Sequence, residues 1–181
     1  GAGVIFNEMQ VKEGQSIAIF GIGGIGASAL LAASHAKAHP IIAIDIHEEK
    51  LERAKQLGAS HTIHALKENP LKKLAEIFHR KGVDFALECA GKKEVMEMAF
   101  ESIKAPGLCV LAGNLPQGEK IQIDPFALIQ GKKIIGTWGG NSRIDHDVPR
   151  FAALFFKNNQ TLQLLISHEV SLSGINDLMQ A

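Results

Sequence analysis

Three glycines, Gly21, Gly23 and Gly26, form the pattern G-x-G-x-x-G within the segment FGIGGIGAS. Glycine costs about 0.5–1 kcal/mol relative to alanine inside a helix or strand, so the cluster indicates a turn or a close approach that side chains would obstruct. The first glycine permits a tight turn, the second admits a pyrophosphate and the third lets a helix pack on a strand. Gly24 and Ile25 would present the helix N–H groups that hold the anion.

An acidic residue follows at the distance expected for a dinucleotide site. Asp45 lies 19 positions beyond Gly26, where a carboxylate can accept hydrogen bonds from both hydroxyls of an adenosine ribose. It would repel a 2′-phosphate, and no arginine follows at once to bind one. The pair predicts NAD rather than NADP. The alternative is a structural turn, with Asp45 as an ordinary strand-end residue.

The segments around these residues alternate between short apolar runs and amphipathic runs. Strands are predicted at 16–20, 41–45, 61–65, 83–88, 108–113 and 132–138, and helices at 27–38, 48–58, 70–80 and 92–103. Such alternation predicts an α/β fold, a doubly wound parallel sheet of the Rossmann type with six strands and helices on both faces. The tail is less regular, with helices expected at 145–160 and 173–181 around a possible strand at 164–170.

Composition excludes several classes of function. The chain has 181 residues, 46% of them hydrophobic, and its 19 Lys and Arg balance its 19 Asp and Glu. No basic surface is therefore expected for nucleic acid or an anionic membrane, and neither a membrane span nor a signal peptide is apparent. Cys89 and Cys109 show no disulfide or metal spacing, which fits a reducing compartment. We expect one soluble, cytoplasmic globular domain, and the start at Gly1 without methionine suggests a piece of a longer protein.

Several segments together resemble one family. GAGV, VKEGQSIAIFGIGGIGASAL, AIDIHEEKLERAKQLGA, GVDFALECAG, LAGNLP and IIGTWGG are similar to the zinc-containing alcohol dehydrogenases of the medium-chain dehydrogenase/reductase superfamily. The resemblance covers nearly the whole chain and corresponds only to the cofactor-binding half of that family. Asn114 in LAGNLP departs from it, because an apolar residue is commoner there.

The resemblance implies further cofactor contacts. Adenosine and its ribose would be contacted by Ile44, Ile46 and Lys50. Cys89, Ala90 and Gly91 would pass below the cofactor at the end of the fourth strand, and main-chain groups at Ala112, Gly136 and Trp138 would hold the carboxamide of the nicotinamide. From the residues alone, Lys50 is at least equally well a solvated lysine, whereas Cys89 and Trp138 are more readily interpreted as packing residues.

The resemblance also implies a division of the protein. Residues 1–181 would be a single NAD-binding domain with a core at about 12–138, and 139–181 would lead back to a catalytic domain absent from the chain. In the family, the catalytic zinc is held by that domain and by a cysteine just upstream of the segment matched by Gly1. No catalytic or metal-binding residue is therefore expected here. His61 and His64 are the only close histidine pair, and their spacing in a strand points them to opposite faces.

The predicted function is NAD(H) binding within a zinc-dependent alcohol dehydrogenase. In such an enzyme zinc polarises the alcohol oxygen, and hydride passes to the nicotinamide. The chain alone would bind the cofactor without oxidising an alcohol or reducing an aldehyde. Two alternatives are a stand-alone NAD-sensing domain and a zinc-free quinone or enone reductase. The apolar segment 132–138 is expected to be the outer strand of the sheet and to pair with a second copy in a homodimer.

Overall fold

Six strands form one parallel sheet in this computed structural model, which describes residues 1–156 and 162–180. In chain order they are β1 (Ile17–Phe20), β2 (Ile41–Asp45), β3 (His61–His64), β4 (Val83–Glu88), β5 (Ile103–Leu111) and β6 (Lys133–Gly136). Their order across the sheet is β3-β2-β1-β4-β5-β6, and every neighbouring pair is parallel. The predicted six-stranded parallel sheet is confirmed, with β6 at one edge.

Helices connect the strands and continue beyond the last one. They are α1 (Gly24–His35), α2 (Glu48–Gln56), α3 (Pro70–Ile77), α4 (Lys93–Ser102), α5 (Pro125–Ile129), α6 (Ile144–Phe155) and α7 (Ile175–Gln180). A π-helical turn at Val4–Glu8 precedes the sheet, and 3-10 turns lie at Gly139–Asn141 and Leu172–Gly174.

Alternate residues of β1 belong to two separate hydrophobic clusters. Ile17 and Ile19 pack in a cluster with residues of α1 and α2, whereas Ala18 and Phe20 pack in a cluster with residues of α3 and α4. Successive side chains of a strand point to opposite faces of its sheet, so helices cover both faces. All four residues are buried, which explains why the strand is apolar throughout rather than alternating. The doubly wound arrangement is confirmed.

Strand β1 pairs with β2 on one side and with β4 on the other. Phe20 is in register with Ile44 of β2 and with Glu88 of β4. Because the strands are parallel, their carboxyl ends lie at one edge of the sheet, and the connections leave in opposite directions from β1. A crevice at such a reversal of strand order is where doubly wound proteins bind ligands.

Several boundaries differ from the sequence prediction. Helix α1 begins at Gly24 rather than 27, so the glycine pattern extends into its first turn. Strand β5 begins at Ile103 rather than 108, because Ile103 already pairs with Val83 before a register shift. Helix α5 was not predicted.

The predicted strand at 164–170 is wrong. Leu164 and Leu165 lie in a turn and 166–170 have no regular structure. A strand needs a neighbour to pair with and a buried face, whereas Ile166 and Val170 are 47% and 50% exposed. The helix expected at 145–160 is α6 as far as Phe155, and residues 157–160 lie outside the described residues. The last predicted helix becomes a 3-10 turn followed by α7.

At the amino-terminal ends of the strands, Asp84 of β4 links the residue before β1 to the start of β5. Its Oδ2 accepts hydrogen bonds from the Ser16 N–H at 2.9 Å and the Ser16 hydroxyl at 2.6 Å. Its Oδ1 lies 2.6 Å from Lys104 Nζ. Burial alone would raise the pKa of Asp84, but the hydrogen bonds from Lys104 and Ser16 outweigh it, and the net pKa lies below the ordinary 3.8.

We predict that this network makes the stability of the protein depend on acid pH. A carboxyl whose pKa is lowered by folding stabilises the folded state above its unfolded pKa, and that stability is lost as the pH falls through the folded value. Asp84→Asn should lower the free energy of unfolding by about 1–3 kcal/mol at pH 7. The difference from the parent should shrink as the pH falls below 3.8, measured by urea unfolding at several pH values.

Glu119→Gln is the matched control, because Glu119 is an exposed acid in a loop. It should leave the pH dependence of unfolding unchanged. A difference between Asp84→Asn and the parent that stays constant down to strongly acid pH would contradict the role given to Asp84.

Candidate functional site

The loop between β1 and α1 leaves helix N–H groups available at the crevice. Gly21 has φ +90° and its N–H donates to the Ile44 carbonyl at 2.8 Å, which turns the chain away from the sheet. Gly23 is the N-cap of α1 and offers no side-chain cap. The first N–H groups of a helix have no partner within it, and the helix dipole favours an anion there. The geometry suits a phosphate group.

The glycines of this loop differ in what surrounds them. A Cβ at Gly26 would overlap the Gly21 carbonyl oxygen and lie 3.4 Å from the Ile19 side chain. At Gly23 and Gly24 a Cβ would meet nothing within 4 Å. Gly26 therefore permits α1 to pack on β1, whereas Gly23 and Gly24 leave an open space in front of the helix that a bulky anion can enter.

Asp45 connects the end of β2 to the glycine loop. Its Oδ2 accepts a hydrogen bond from the Ile22 N–H at 2.7 Å. Its Oδ1 accepts from the N–H groups of Ile46 at 2.8 Å and His47 at 3.0 Å. An ionised carboxylate has about four acceptor positions, so capacity remains for a hydroxyl donor. The sequence did not predict that Asp45 also fixes the loop backbone.

A cavity of about 110 Å³ opens beside Asp45. Five predicted contact residues line it, namely Gly21, Ile44, Asp45, Ile46 and Ala90. The other lining residues were not predicted: Phe20, Ala65, Pro70, Lys92, Val95 and Met98. Mostly apolar walls with one carboxylate suit a flat aromatic ring joined to a hydroxyl-bearing sugar.

The remaining predicted residues are placed around the same edge of the sheet. Ile25 lies in the first turn of α1 and is 45% exposed. Lys50 lies in α2 and is half-buried, but it does not line the cavity. Gly136 ends β6, in register with Leu111. Trp138 is 88% exposed, and its side chain therefore has little to pack against.

Cys89, Ala90, Gly91 and Ala112 lie in the loops that follow β4 and β5. The Cys89 N–H donates to the Phe20 carbonyl at 2.8 Å, and the Ala112 N–H donates to the Glu88 carbonyl at 2.9 Å. Burial, together with the nearby Glu88 carboxyl, raises the pKa of the Cys89 thiol to about 12. A thiol that remains protonated is a poor nucleophile and metal ligand, and the Cys89 side chain packs against the hydrophobic cluster that contains Ile17 and Ile19.

Sequence reasoning missed Glu88, which ends β4 and is completely buried. Burial raises its pKa above the ordinary 4.5, although hydrogen bonds from backbone N–H groups oppose that shift. An acidic residue at the end of the otherwise apolar run VDFALE was the available signal. It is the same signal that marked Asp45 at the end of β2.

The described residues do not fit a zinc ion. Across residues 1–156 and 162–180, no three His, Cys, Asp or Glu side chains come together as a possible metal site. His64 Nε2 lies 4.0 Å from Glu48, whereas His61 is exposed at the other end of β3. In the same residues, no helix has the length and apolar composition that a membrane crossing requires.

The fold and the site define a class of protein. A doubly wound parallel sheet, a glycine loop that opens onto a helix N-terminus, and an acid at the end of the next strand are the features of a Rossmann-type nucleotide-binding domain.

Comparisons with known proteins identify the family. The family model described as "Zinc-binding dehydrogenase" matches residues 24–157. The S-(hydroxymethyl)glutathione dehydrogenase of Synechocystis is 35% identical over 99% of this chain and 50% of its own length. The benzyl alcohol dehydrogenase of Acinetobacter calcoaceticus superposes with a TM-score of 0.93 at 32% identity, over 99% of this chain and 49% of that one. A putative zinc-binding dehydrogenase of Sinorhizobium meliloti bound to NADP gives 0.71 at 31% identity, over 76% and 40%.

The chain belongs to the zinc-binding dehydrogenase family, as the sequence resemblance implied. It spans about half the length of the curated relatives it matches.

We predict that Gly26→Ala destabilises the protein, because the new methyl group overlaps the Gly21 carbonyl and forces α1 away from β1. The free energy of unfolding should fall by about 1–3 kcal/mol, the usual cost of overpacking a tight contact. Thermal unfolding followed by circular dichroism measures the change.

Gly24→Ala is the matched control, two residues away in the same helix with open space around it. Its stability should stay within about 0.5 kcal/mol of the parent. Equal stability of the two variants would contradict the packing role of Gly26.

Proposed function

We propose that this chain is the NAD(H)-binding part of a zinc-dependent alcohol dehydrogenase. The observation that carries the proposal is Asp45, which lines the cavity and accepts a hydrogen bond from the glycine loop at Ile22. One side chain thus joins the position expected for a ribose to the position expected for the pyrophosphate.

The pyrophosphate would lie against the start of α1. Gly23 and Gly24 leave the space for it, and the N–H groups of Gly24, Ile25 and Gly26 would hold it together with the helix dipole. The described residues fit the cofactor here, because these N–H groups have no side-chain cap and open space lies in front of them.

The adenosine would occupy the cavity beside Asp45. Its ring would lie between Ile44, Ile46 and Ala90, and its ribose hydroxyls would donate to the Asp45 carboxylate, with Lys50 reaching the same sugar from α2. A 2′-phosphate would place negative charge against that carboxylate, which favours NAD over NADP.

The nicotinamide half would lie over the loops after β4 and β5. The adenosine is on the β2 side of β1, so a dinucleotide that crosses the start of α1 continues toward β4. Main-chain groups of Cys89, Ala90 and Gly91 would pass below the cofactor from the adenosine cavity toward this half, and those of Ala112, Gly136 and Trp138 would orient the carboxamide.

The bound cofactor would supply the hydride acceptor or donor. This chain would orient the nicotinamide and set which face is presented. We place the metal ligands and the alcohol or aldehyde site in the part of the longer protein that this chain does not span. The chain by itself should therefore bind the cofactor without turning over an alcohol.

Two other functions are less well supported. A stand-alone NAD-sensing domain has less need of the loops that would receive the nicotinamide, and the relatives are about twice the length of the chain. A zinc-free quinone or enone reductase usually takes NADP, which the Asp45 carboxylate disfavours.

The outer strand β6 supports a homodimer. Within residues 1–156 and 162–180, strand β6 has a neighbour on one side only, and its Ile135 is 37% exposed. Helix α5 adds further exposed apolar side chains, Phe126, Leu128 and Ile129. An unpaired apolar edge strand tends to pair with another strand. The β6 strand of a second copy would supply partners for its unpaired N–H and carbonyl groups.

We predict that Asp45 determines cofactor choice. The parent should bind NADH more tightly than NADPH. Titration with each nucleotide, monitored by nucleotide fluorescence, measures the two affinities. Asp45→Ala should weaken NADH about tenfold or more, because the ribose loses its acceptor. NADPH should lose less, since the repulsion of its 2′-phosphate disappears together with the carboxylate.

Glu49→Ala controls for a general loss of negative charge, since Glu49 is exposed in the first turn of α2. It should leave both affinities within about twofold of the parent. Equal affinity of the parent for the two cofactors, or unchanged NADH binding in Asp45→Ala, would overturn the assignment.

We also predict that Ile135→Lys abolishes dimer formation, because a lysine on an edge strand opposes strand pairing. Sedimentation velocity of the parent should show a dimer, and the variant should sediment as a monomer. Leu66→Lys, which places the same charge at a 75% exposed leucine just after β3, should remain dimeric. A parent that stays monomeric at high concentration would refute the homodimer.

A further inference from the structure

The proposed function assigns no role to Glu88, although its environment is unusual. Its side chain is completely buried at the end of β4. Oε1 accepts hydrogen bonds from the Ala90 N–H at 2.7 Å and the Gly91 N–H at 2.8 Å. Oε2 is also buried and has no hydrogen-bond partner among the described residues. The carboxyl therefore shapes the loop that follows its own strand.

The same residue contacts the loop after the neighbouring strand β5. Its main-chain carbonyl accepts from the N–H groups of Ala112 at 2.9 Å and Gly113 at 3.1 Å. A Cβ on Gly113 would lie 2.6 Å from Glu88 Oε2 and would overlap the Gly91 nitrogen. Only a glycine fits between the carboxyl and Gly91, so the Glu88 side chain, Gly91 and Gly113 are in close contact where the two loops meet.

The loop at Gly91 is itself closely constrained. Gly91 has φ +66°, and a Cβ there would lie 2.8 Å from the Asn114 carbonyl oxygen. The preceding residue, Ala90, has its nitrogen 3.0 Å from the position of a Cβ on Gly21. The β4 loop is thus packed between the glycine loop on one side and the β5 loop on the other.

Stability alone is a weak reason for this arrangement. Burying a carboxyl is costly, and apolar residues of similar size often stabilise a fold as well or better. Burial also raises the pKa of Glu88. What the side chain contributes is an acceptor for two adjacent N–H groups, for which the described residues offer no main-chain acceptor.

We propose that Glu88 is a positioning residue for the nicotinamide half of the cofactor. It holds the loops 89–91 and 112–114 at the separation that receives this half. It does so through the hydrogen bonds that Oε1 accepts from two N–H groups and through its contact with Gly113. The inference rests on the proposed NAD(H) binding and adds the residue that shapes the second half of the site.

The test compares NADH with ADP-ribose, which contains the adenosine, pyrophosphate and second ribose but no nicotinamide. The parent should bind NADH more tightly than ADP-ribose, measured by calorimetric titration of the 181-residue chain. Glu88→Ala should weaken NADH about tenfold, because Ala90 and Gly91 lose their acceptor and the loops shift. ADP-ribose should lose less affinity than NADH, because Asp45 and the glycine loop are untouched and, of the proposed adenosine contacts, Ala90 alone lies in the shifted loop.

Two further variants examine the same junction. Glu88→Gln retains one side-chain carbonyl for the two N–H donors and should keep NADH affinity within about threefold of the parent. Gly113→Ala places a methyl group between Gly91 and Glu88 Oε2 from the loop after β5. It should reproduce the selective loss of NADH affinity, even where Glu88→Ala yields no folded protein.

Asp84→Ala is the matched control, since Asp84 is a hydrogen-bonded acid at the opposite end of the same strand. It should lower thermal stability without changing the ratio of NADH to ADP-ribose affinity. Equal weakening of both ligands by Glu88→Ala, a Glu88→Gln variant as weak as Glu88→Ala, or a parent that binds both ligands equally would overturn the positioning role. A parent that binds neither ligand would instead refute the proposed function.

Discussion

The pairing of β1 on both of its sides is the constraint on which the rest of the site depends. Phe20 is in register with Ile44 of β2 and with Glu88 of β4, so the carboxyl ends of three strands border one crevice. Backbone hydrogen bonds fix this register independently of any ligand. The Gly21 N–H donates to the Ile44 carbonyl and the Cys89 N–H donates to the Phe20 carbonyl, both at 2.8 Å. The crevice is therefore formed by the sheet before a cofactor contributes any binding energy, and little ordering needs to accompany binding.

Two acidic residues use the same chemistry at this edge with different outcomes. Asp45 and Glu88 each end a strand and accept hydrogen bonds from loop N–H groups. Asp45 lines the cavity, so a spare acceptor position can meet a ligand, whereas Glu88 is sealed between two loops. Both side chains therefore hold loops, since Asp45 also accepts a hydrogen bond from Ile22 in the loop after the neighbouring strand β1. They differ in that, of the two, Asp45 lines the cavity and Glu88 does not.

Local patterns account for what the sequence predicted and for what it did not. The glycine spacing, Asp45 and the alternation of strands and helices are encoded within short segments, so the sheet, its helical layers and the loop at Gly21 followed directly. The role of Glu88 depends on Gly113, which is 25 positions away in the chain, and no periodicity reports such a contact. The false strand at 164–170 has the same origin, because its residues are apolar but the described part of the chain places no neighbouring strand beside them.

The fold alone does not determine whether a dinucleotide site takes NAD or NADP, because a single side chain distinguishes them. The Sinorhizobium meliloti structure was solved with NADP and superposes on this chain with a TM-score of 0.71. Backbone similarity of that degree means that the strand ends and the helix start have similar positions in the two chains, whichever dinucleotide is bound. The two cofactors differ by one phosphate on one ribose, and the energetic difference arises where that phosphate would lie. A carboxylate there, already held in place by the N–H groups of Ile22, Ile46 and His47, cannot turn away from the added charge at low cost. At the dinucleotide site proposed above, the rigidity of Asp45, as much as its charge, would therefore favour NAD.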